Sequence, residues 1–193
     1  MDRPVTGKGG AVPTRTLVTG GGRSGKSRFA ERLAGTGRVR FVAPGYPPGD
    51  DADWAARVAA HQARRPPRWE TVETTDVAAV LAGAGRGEVL LVDCLATWLA
   101  RQLDEAGAWQ DAAGWAGRVD EETDRLSSAW QETVASVIAV TNEVGLGVVP
   151  ATPAGRLFRD RLGTLNQRLG AASDRLYLVV AGRVLDLSTA PTV

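Results

Sequence analysis

Thr16-Leu17-Val18-Thr19-Gly20-Gly21-Gly22-Arg23-Ser24-Gly25-Lys26-Ser27 decides how this chain is read. An apolar strand pattern runs into a glycine-rich turn, and Arg28-Phe29-Ala30-Glu31-Arg32-Leu33 continues as a helix. From Gly20 to Ser27 the spacing is G-x-x-x-x-G-K-S, with a strand before it and a helix after it, the context in which a phosphate-binding loop works. Successive backbone N–H groups form a concave anion site at the helix N-terminus. Glycines let the backbone come close to phosphate oxygens. Lys26 is placed to neutralise β- and γ-phosphate oxygens, and the Ser27 hydroxyl to hold Mg²⁺. The reading is a nucleoside triphosphate site.

The rest of the chain sets the frame around that loop. Its 193 residues suit one domain with a sizeable core, and 44% hydrophobic with 23% charged residues is an ordinary soluble composition. A net charge of +1 offers no electrostatic footprint for nucleic acid or an anionic membrane. Lysine occurs twice, at Lys8 and Lys26, so one of the two stands where a phosphate needs it. The single cysteine, Cys94, excludes an internal disulfide and suits a reducing compartment. No apolar run reaches membrane-spanning length and no signal-peptide pattern follows the N-terminus, so a cytoplasmic location is expected.

Residues 1–14 are rich in Gly and Pro without periodicity and read as a flexible tail, leaving 15–188 as one catalytic domain. Strands are expected over about 16–20, 38–43, 69–74, 88–93, 136–141, 175–181 and 183–187. Helices are expected over about 26–34, 54–65, 76–84, 95–103, 118–134 and 155–172, with Asp53 as the N-cap of the second. Residues 44–53 and the stretch 142–153 read as loops. Strands alternating with helices imply a mostly parallel sheet flanked by helices, an α/β fold of the P-loop NTPase (RecA-like) kind. The last two strands form an antiparallel hairpin around Gly182. Ligands then gather at the carboxyl ends of the strands.

Three constellations fall on that edge. Asp93 ends the apolar run EVLLVD (88–93), the position from which a carboxylate helps hold Mg²⁺ beside the phosphate loop; capping the next helix is the alternative role. Cys94 beside it reads as a small buried side chain. His61, the only histidine, shares a predicted helix face with Arg57 and Arg65, spaced i, i+4, with Arg64 adjacent. Nearby cations favour the neutral imidazole, whose lone pair can attack phosphorus. The residues alone leave His61 open between that role and a surface position on a basic helix. After the buried strand 136–141, Asn142 and Glu143 emerge at the ligand edge, and the following helix carries Arg156, Arg159, Asn166 and Gln167. These suit either a substrate pocket or a solvated helix face.

Four blocks in order carry a resemblance: LVTGGGRSGKSRFAE (17–31), ARVAAHQARRPPRWETVE (56–73), LLVDCL (90–95), and TNEVGLGVVP (141–150) with the stretch 155–182. Together they resemble the bifunctional adenosylcobinamide kinase / adenosylcobinamide-phosphate guanylyltransferase family over residues 17–187. The resemblance implies two reactions of late cobalamin synthesis. ATP or GTP phosphorylates the hydroxyl of adenosylcobinamide, and GMP from GTP is then placed on that phosphate. It implies that His61 takes GMP covalently, with Lys26 and Asp93 as its catalytic companions and Mg²⁺ on Ser27 and Asp93. Implied nucleotide contacts are Gly20, Gly21, Gly22, Arg23, Ser24, Gly25, Lys26, Ser27, Ala43, Pro44, Gly45, Gln62, Ala63, Arg64, Arg65, Glu73 and Asp93. Asn142, Glu143, Arg159 and Asn166 are candidates for substrate contact. A homo-oligomer, trimeric in the family, is expected, without nucleic acid or an integral membrane segment. Pro44, Ala96 and Arg101 depart from the family pattern, where Thr, Thr and Asn are usual. A guanylyltransferase-only member, a simple small-molecule kinase and a guanine-nucleotide switch are the alternatives. The switch lacks its Asn-Lys-x-Asp motif here.

Overall fold

In the computed structural model, residues 12–47, 49 and 51–192 are described. Most of the 1–14 tail lies outside them. Thr14, at its end, is tied to the sheet: its carbonyl accepts from Val137 N at 3.0 Å.

Seven strands form one sheet in the order β3-β2-β4-β5-β1-β6-β7. They are β1 (Arg15–Thr19), β2 (Arg40–Ala43), β3 (Glu70–Glu73), β4 (Val89–Asp93), β5 (Ser136–Val140), β6 (Arg175–Val180) and β7 (Arg183–Asp186). Every pairing is parallel except β6 with β7. The expected parallel sheet with a terminal hairpin is therefore what forms. Helices α1 (Lys26–Ala34), α2 (Ala52–Arg64), α3 (Val77–Ala82), α4 (Leu95–Glu105), α5 (Trp115–Glu132) and α6 (Pro153–Ala171) connect the strands.

The central strands bury both faces, which is why they read as unbroken apolar runs. In β4, Leu90 and Val92 join one core while Val89 and Leu91 join the other. The first core fills the side covered by α3 to α6, with Trp98, Leu103, Leu126, Trp130 and Leu165. The second lies under α1, with Phe29, Leu33, Phe41, Trp69 and Tyr177. No described side chain of α2 belongs to either core.

Boundaries move where caps decide them. α2 begins at Ala52, so Asp53 sits in its first turn and is not its N-cap. α5 begins at Trp115, earlier than 118. A short 3₁₀ turn, Ala108–Gln110, occupies the link before it. α6 begins at Pro153 because the Thr152 side chain caps it, accepting from Gly155 N at 3.2 Å, and proline suits a first-turn position.

The β6–β7 hairpin turns through Ala181 (φ 48) and Gly182 (φ 74), both left-handed, as a tight two-residue hairpin requires. Its turn rests on the phosphate loop, with Gly182 N donating to Ser24 O at 2.9 Å. A Cβ on Gly20 (φ +154) would meet Val179 O at 2.3 Å and Ser24 Oγ at 2.8 Å. The Val179 carbonyl is backbone of β6 and cannot yield cheaply, so Gly20→Ala is expected to lower stability by about 1–3 kcal/mol, measured by urea unfolding of the purified protein.

Candidate active site

The phosphate loop starts where β1 ends. Gly25 (φ 97) caps α1, and the first turn of α1 carries no acidic side chain, which leaves its N–H groups facing a site suited to anions. Lys26 is buried, with Nζ donating to Gly21 O at 3.1 Å. Cβ atoms built on Gly21 and Gly22 would meet nothing within 4 Å, so that side of the loop is open.

Asp93 does not sit next to β1. β5 lies between them, with Val140 paired to Val18 on one side and to Asp93 on the other. The loop closes that gap by sweeping over the sheet edge into α1, which packs on β4 and β5. Ser27 thereby comes close enough to Asp93 for its hydroxyl to favour the ionised carboxylate.

Asp93 is deeply buried, and its Oδ2 makes no hydrogen bond. Burial pushes its carboxyl above the usual carboxylate range, while His61, Ser27 and Lys26 pull it back. His61 Nδ1 lies 3.8 Å from that Oδ2, too far for a hydrogen bond but close enough for strong electrostatic coupling. Burial holds the His61 imidazole below the ordinary histidine range; Arg64 and Arg65 add to this, and Asp93 and Glu31 oppose it. Desolvation, more than the neighbouring cations that the sequence pattern suggests, keeps this imidazole neutral. The Cys94 thiol is pushed up by burial and by Asp93, as a small packed side chain would be.

These groups line one cavity of about 1430 Å³ along the carboxyl edge of the sheet. From Gly22 to Ser27 the loop contributes to the lining, as do Ala43, Gly45, His61, Gln62, Arg64, Arg65, Glu73, Asp93 and Asn142. Gly20 is buried beneath the loop. Gly21 is exposed beside the cavity, Pro44 is buried behind its loop, and Ala63 is exposed on α2; none of the four lines the cavity. Glu143 is occupied locally: its N–H donates to Gly20 O at 3.1 Å and its carboxylate accepts from Gly145 N at 2.6 Å. Arg159 pairs with Asp160 at 3.6 Å. Asn166 accepts from Thr141 Oγ1 at 2.6 Å and donates to Asn142 O at 3.0 Å, so it pins the strand end that presents Asn142.

Several contributors have no motif of their own. Phe41, Tyr46, Thr97 and Gly182 line the cavity. Arg101 donates to Gly45 O at 3.3 Å and to Glu105 at 3.1 Å, and its guanidinium lies 4.9 Å from the Tyr46 ring centroid. Tyr46 also bonds Asp104, and its hydroxyl is pushed up to about 12, chiefly by burial. Arg101, one of the three departures from the family pattern, thus ties the loop after β2 to α4. A smaller cavity of about 400 Å³, between α3, α4 and α5, is lined by charges already engaged, such as Arg125 with Asp76 and Glu122.

The donor set suits Mg²⁺. A hydroxyl and a carboxylate meet at the loop, one carboxylate oxygen is buried without a partner, and both are hard oxygen donors. Among the described residues no cluster of three His, Cys, Asp or Glu could hold a metal alone.

Asp93 ionises at a cost in the folded chain, because its folded carboxyl titrates above its unfolded value of 3.8. The cost is absent at acid pH and grows as pH rises through that window. Asp93→Asn is expected to raise the midpoint of thermal unfolding near neutral pH with EDTA present, the gap closing as pH falls toward about 4. Calorimetry across that range checks it.

Sequence comparison identifies the family. The family profile described as cobinamide kinase / cobinamide phosphate guanyltransferase matches residues 16–187. The bifunctional adenosylcobalamin biosynthesis protein CobU of Salmonella typhimurium is 40% identical over 177 residues, spanning 86% of this chain and 95% of its own length. CobU of Escherichia coli (strain K12) is 39% identical over 174 residues, with the same two spans. CobP of Pseudomonas aeruginosa, with the same description, is 38% identical over 181 residues, spanning 92% of this chain and 99% of its own. Two solved structures share the fold at a TM-score of 0.50. One is an ATPase of the type III secretion system of pathogenic bacteria, at 13% identity, aligned over 86% of this chain and 51% of its own. The other is a Pyrococcus horikoshii OT3 protein, at 8% identity, aligned over 93% and 88%. This chain spans about half the length of the ATPase, and at such identities the likeness concerns the fold alone. A phosphate loop, a buried carboxylate opposite the lone histidine, and relatives matched over nearly their whole length lead to one conclusion: the chain belongs to the cobinamide kinase / cobinamide phosphate guanyltransferase family and is a transferase.

Proposed function

We propose that this enzyme phosphorylates adenosylcobinamide with ATP or GTP and then transfers GMP from GTP onto that phosphate through a covalent His61–GMP intermediate, giving adenosylcobinamide-GDP. One observation carries the reading: a half-buried imidazole, held below the ordinary histidine range by its surroundings, stands 3.8 Å from Asp93 in the cavity that the phosphate loop lines.

In the kinase step the loop N–H groups and Lys26 hold the triphosphate. The cobinamide hydroxyl oxygen bonds to the γ-phosphorus, the β–γ bridging oxygen leaves with the nucleoside diphosphate, and the hydroxyl proton is released. In the guanylyl step His61 attacks the α-phosphorus of GTP. Its Nδ1 side is turned toward Asp93, so Nε2 is the nitrogen left for phosphorus. The N–P bond forms as the bond to pyrophosphate breaks. A cobinamide phosphate oxygen then displaces the imidazole, which leaves neutral, as a covalent relay requires. Ser27 and Asp93 would hold Mg²⁺, which supplies charge neutralisation on the phosphates. The cavity exceeds the roughly 300–1,000 Å³ typical of a single small ligand, which suits an enzyme that admits a nucleotide and a large second substrate. Among the described residues no helix is long and apolar enough to cross a membrane. A cytoplasmic homo-oligomer, trimeric as in the resembled family, completes the proposal.

GTP labelled at the α-phosphate is expected to leave acid-labile, base-stable label on the wild-type protein and none on His61→Ala; an unlabelled wild type overturns the covalent route. Because burial lowers the imidazole, labelling is expected to hold its rate from about pH 8 to about pH 6.5 and to decline only below that. Lys26→Ala is expected to lower phosphorylation of cobinamide by at least about 100-fold, read by product analysis with ATP.

A further inference from the structure

No described side chain of α2 joins the hydrophobic cores, so the polar contacts of the helix bear on its position. Two described side chains of the segment around the end of α2 make such contacts. Arg64 forks onto Glu31 of α1, with NH2 to Oε1 at 3.1 Å and Nε to Oε2 at 3.3 Å. Arg65 donates to Thr71 Oγ1 at 3.1 Å, and its guanidinium lies 3.5 Å from the Phe41 ring centroid. Glu31 is well buried at 13% side-chain exposure, and Arg64 is at 34%.

The spacing makes this fork relevant to His61. His61 and Arg64 are separated by three residues, so they project from one face of α2. Ser27 and Glu31 are separated by four and project from one face of α1. The two faces meet as two rungs. In one, His61 lies beside Asp93, whose carboxyl the nearby Ser27 hydroxyl pulls down. In the other, Arg64 grips Glu31 one helical turn further along. A planar guanidinium held at two points fixes direction as well as distance, which a single contact does not. Glu31 also acts on the electrostatics of both His61 and Asp93.

We infer that Glu31 and Arg64 are positioning residues for the guanylyl step: their ion pair docks α2 on the helix of the phosphate loop and sets the distance between the His61 imidazole and the α-phosphorus. This rests on the covalent route proposed above. Arg64 then acts on the reaction through Glu31, without itself supplying the charge that binds the triphosphate.

The test is the single-turnover rate of covalent labelling by α-labelled GTP at saturating nucleotide. It is measured for wild type, Arg64→Ala, Glu31→Gln, Arg64→Lys and the charge-swapped Glu31→Arg/Arg64→Glu. GTP affinity is measured in parallel on His61→Ala proteins carrying the same changes. Arg64→Ala and Glu31→Gln are each expected to slow labelling about 10- to 100-fold, the scale of a misplacement near 1 Å, with GTP affinity changed less than about threefold. Arg64→Lys is expected to recover part of the rate, and the swap most of it. Labelling of Arg64→Ala at the wild-type rate overturns the inference, as does a swap no better than the single variants. A loss of GTP affinity that matches the loss of rate assigns Arg64 to direct phosphate binding and also overturns it. An unlabelled wild type overturns the covalent route itself, and this inference with it.

Discussion

A carboxylate buried at the tip of β4 is the constraint around which this edge of the molecule is organised. Ionised Asp93 in such surroundings is costly, and isolated buried charges are not tolerated without partners. The fold offsets part of the cost from the phosphate loop, through the Ser27 hydroxyl and the Lys26 ammonium, while the neutral His61 imidazole faces the carboxylate from α2. One oxygen is still left without a hydrogen bond. An incompletely satisfied group of this kind is tolerated where a ligand or cation completes it, and active sites are where such groups collect.

The labour is divided between parts that pack and parts that reach. β1, β4 and β5 are buried on both faces, and α1 and α3 to α6 cover them, so the phosphate loop and Asp93 rise from a rigid base. The segments that complete the cavity are attached differently. Among the described side chains, Arg64 and Arg65 join α2 and the residue after it to the body of the fold, and Arg101 and Tyr46 join the loop after β2 to α4. Ion pairs and single hydrogen bonds at part-exposed positions are individually weak, on the order of 1 kcal/mol. Segments held in this way belong to the least stable portion of a fold, which is where binding elements are usually found.

Much of this was legible in the chain itself. The phosphate loop declares itself because its spacing, the preceding strand and the following helix are all local. β4 and β5 declare themselves because strands buried on both faces have no polar alternation to hide them. Asp93 followed from being the first polar residue after such a strand. Helix starts were less legible. Thr152 and Pro153 together set the start of α6, while the expected cap, Asp53, fell inside the first turn of α2. Asn166 was legible as a polar residue near the edge but not as a brace, because only folding brings Thr141 and Asn142 within its reach.

By itself the sequence determined that a glycine-rich phosphate-loop motif joins β1 to α1, which buried strand ends in a carboxylate and which order the elements follow, since each depends on neighbours within a few residues or on simple apolar periodicity. The tertiary structure decided that β5 stands between β1 and β4, that the hairpin turn at Gly182 supports the phosphate loop, and that His61 faces Asp93 while Arg64 faces Glu31. Those relations join residues far apart in the chain, and their distances are set by the packing of α1 on the sheet and by ion pairs that form only after it. The imidazole is neutral for the same reason: burial is a property of the folded surroundings and is written in no single stretch of residues.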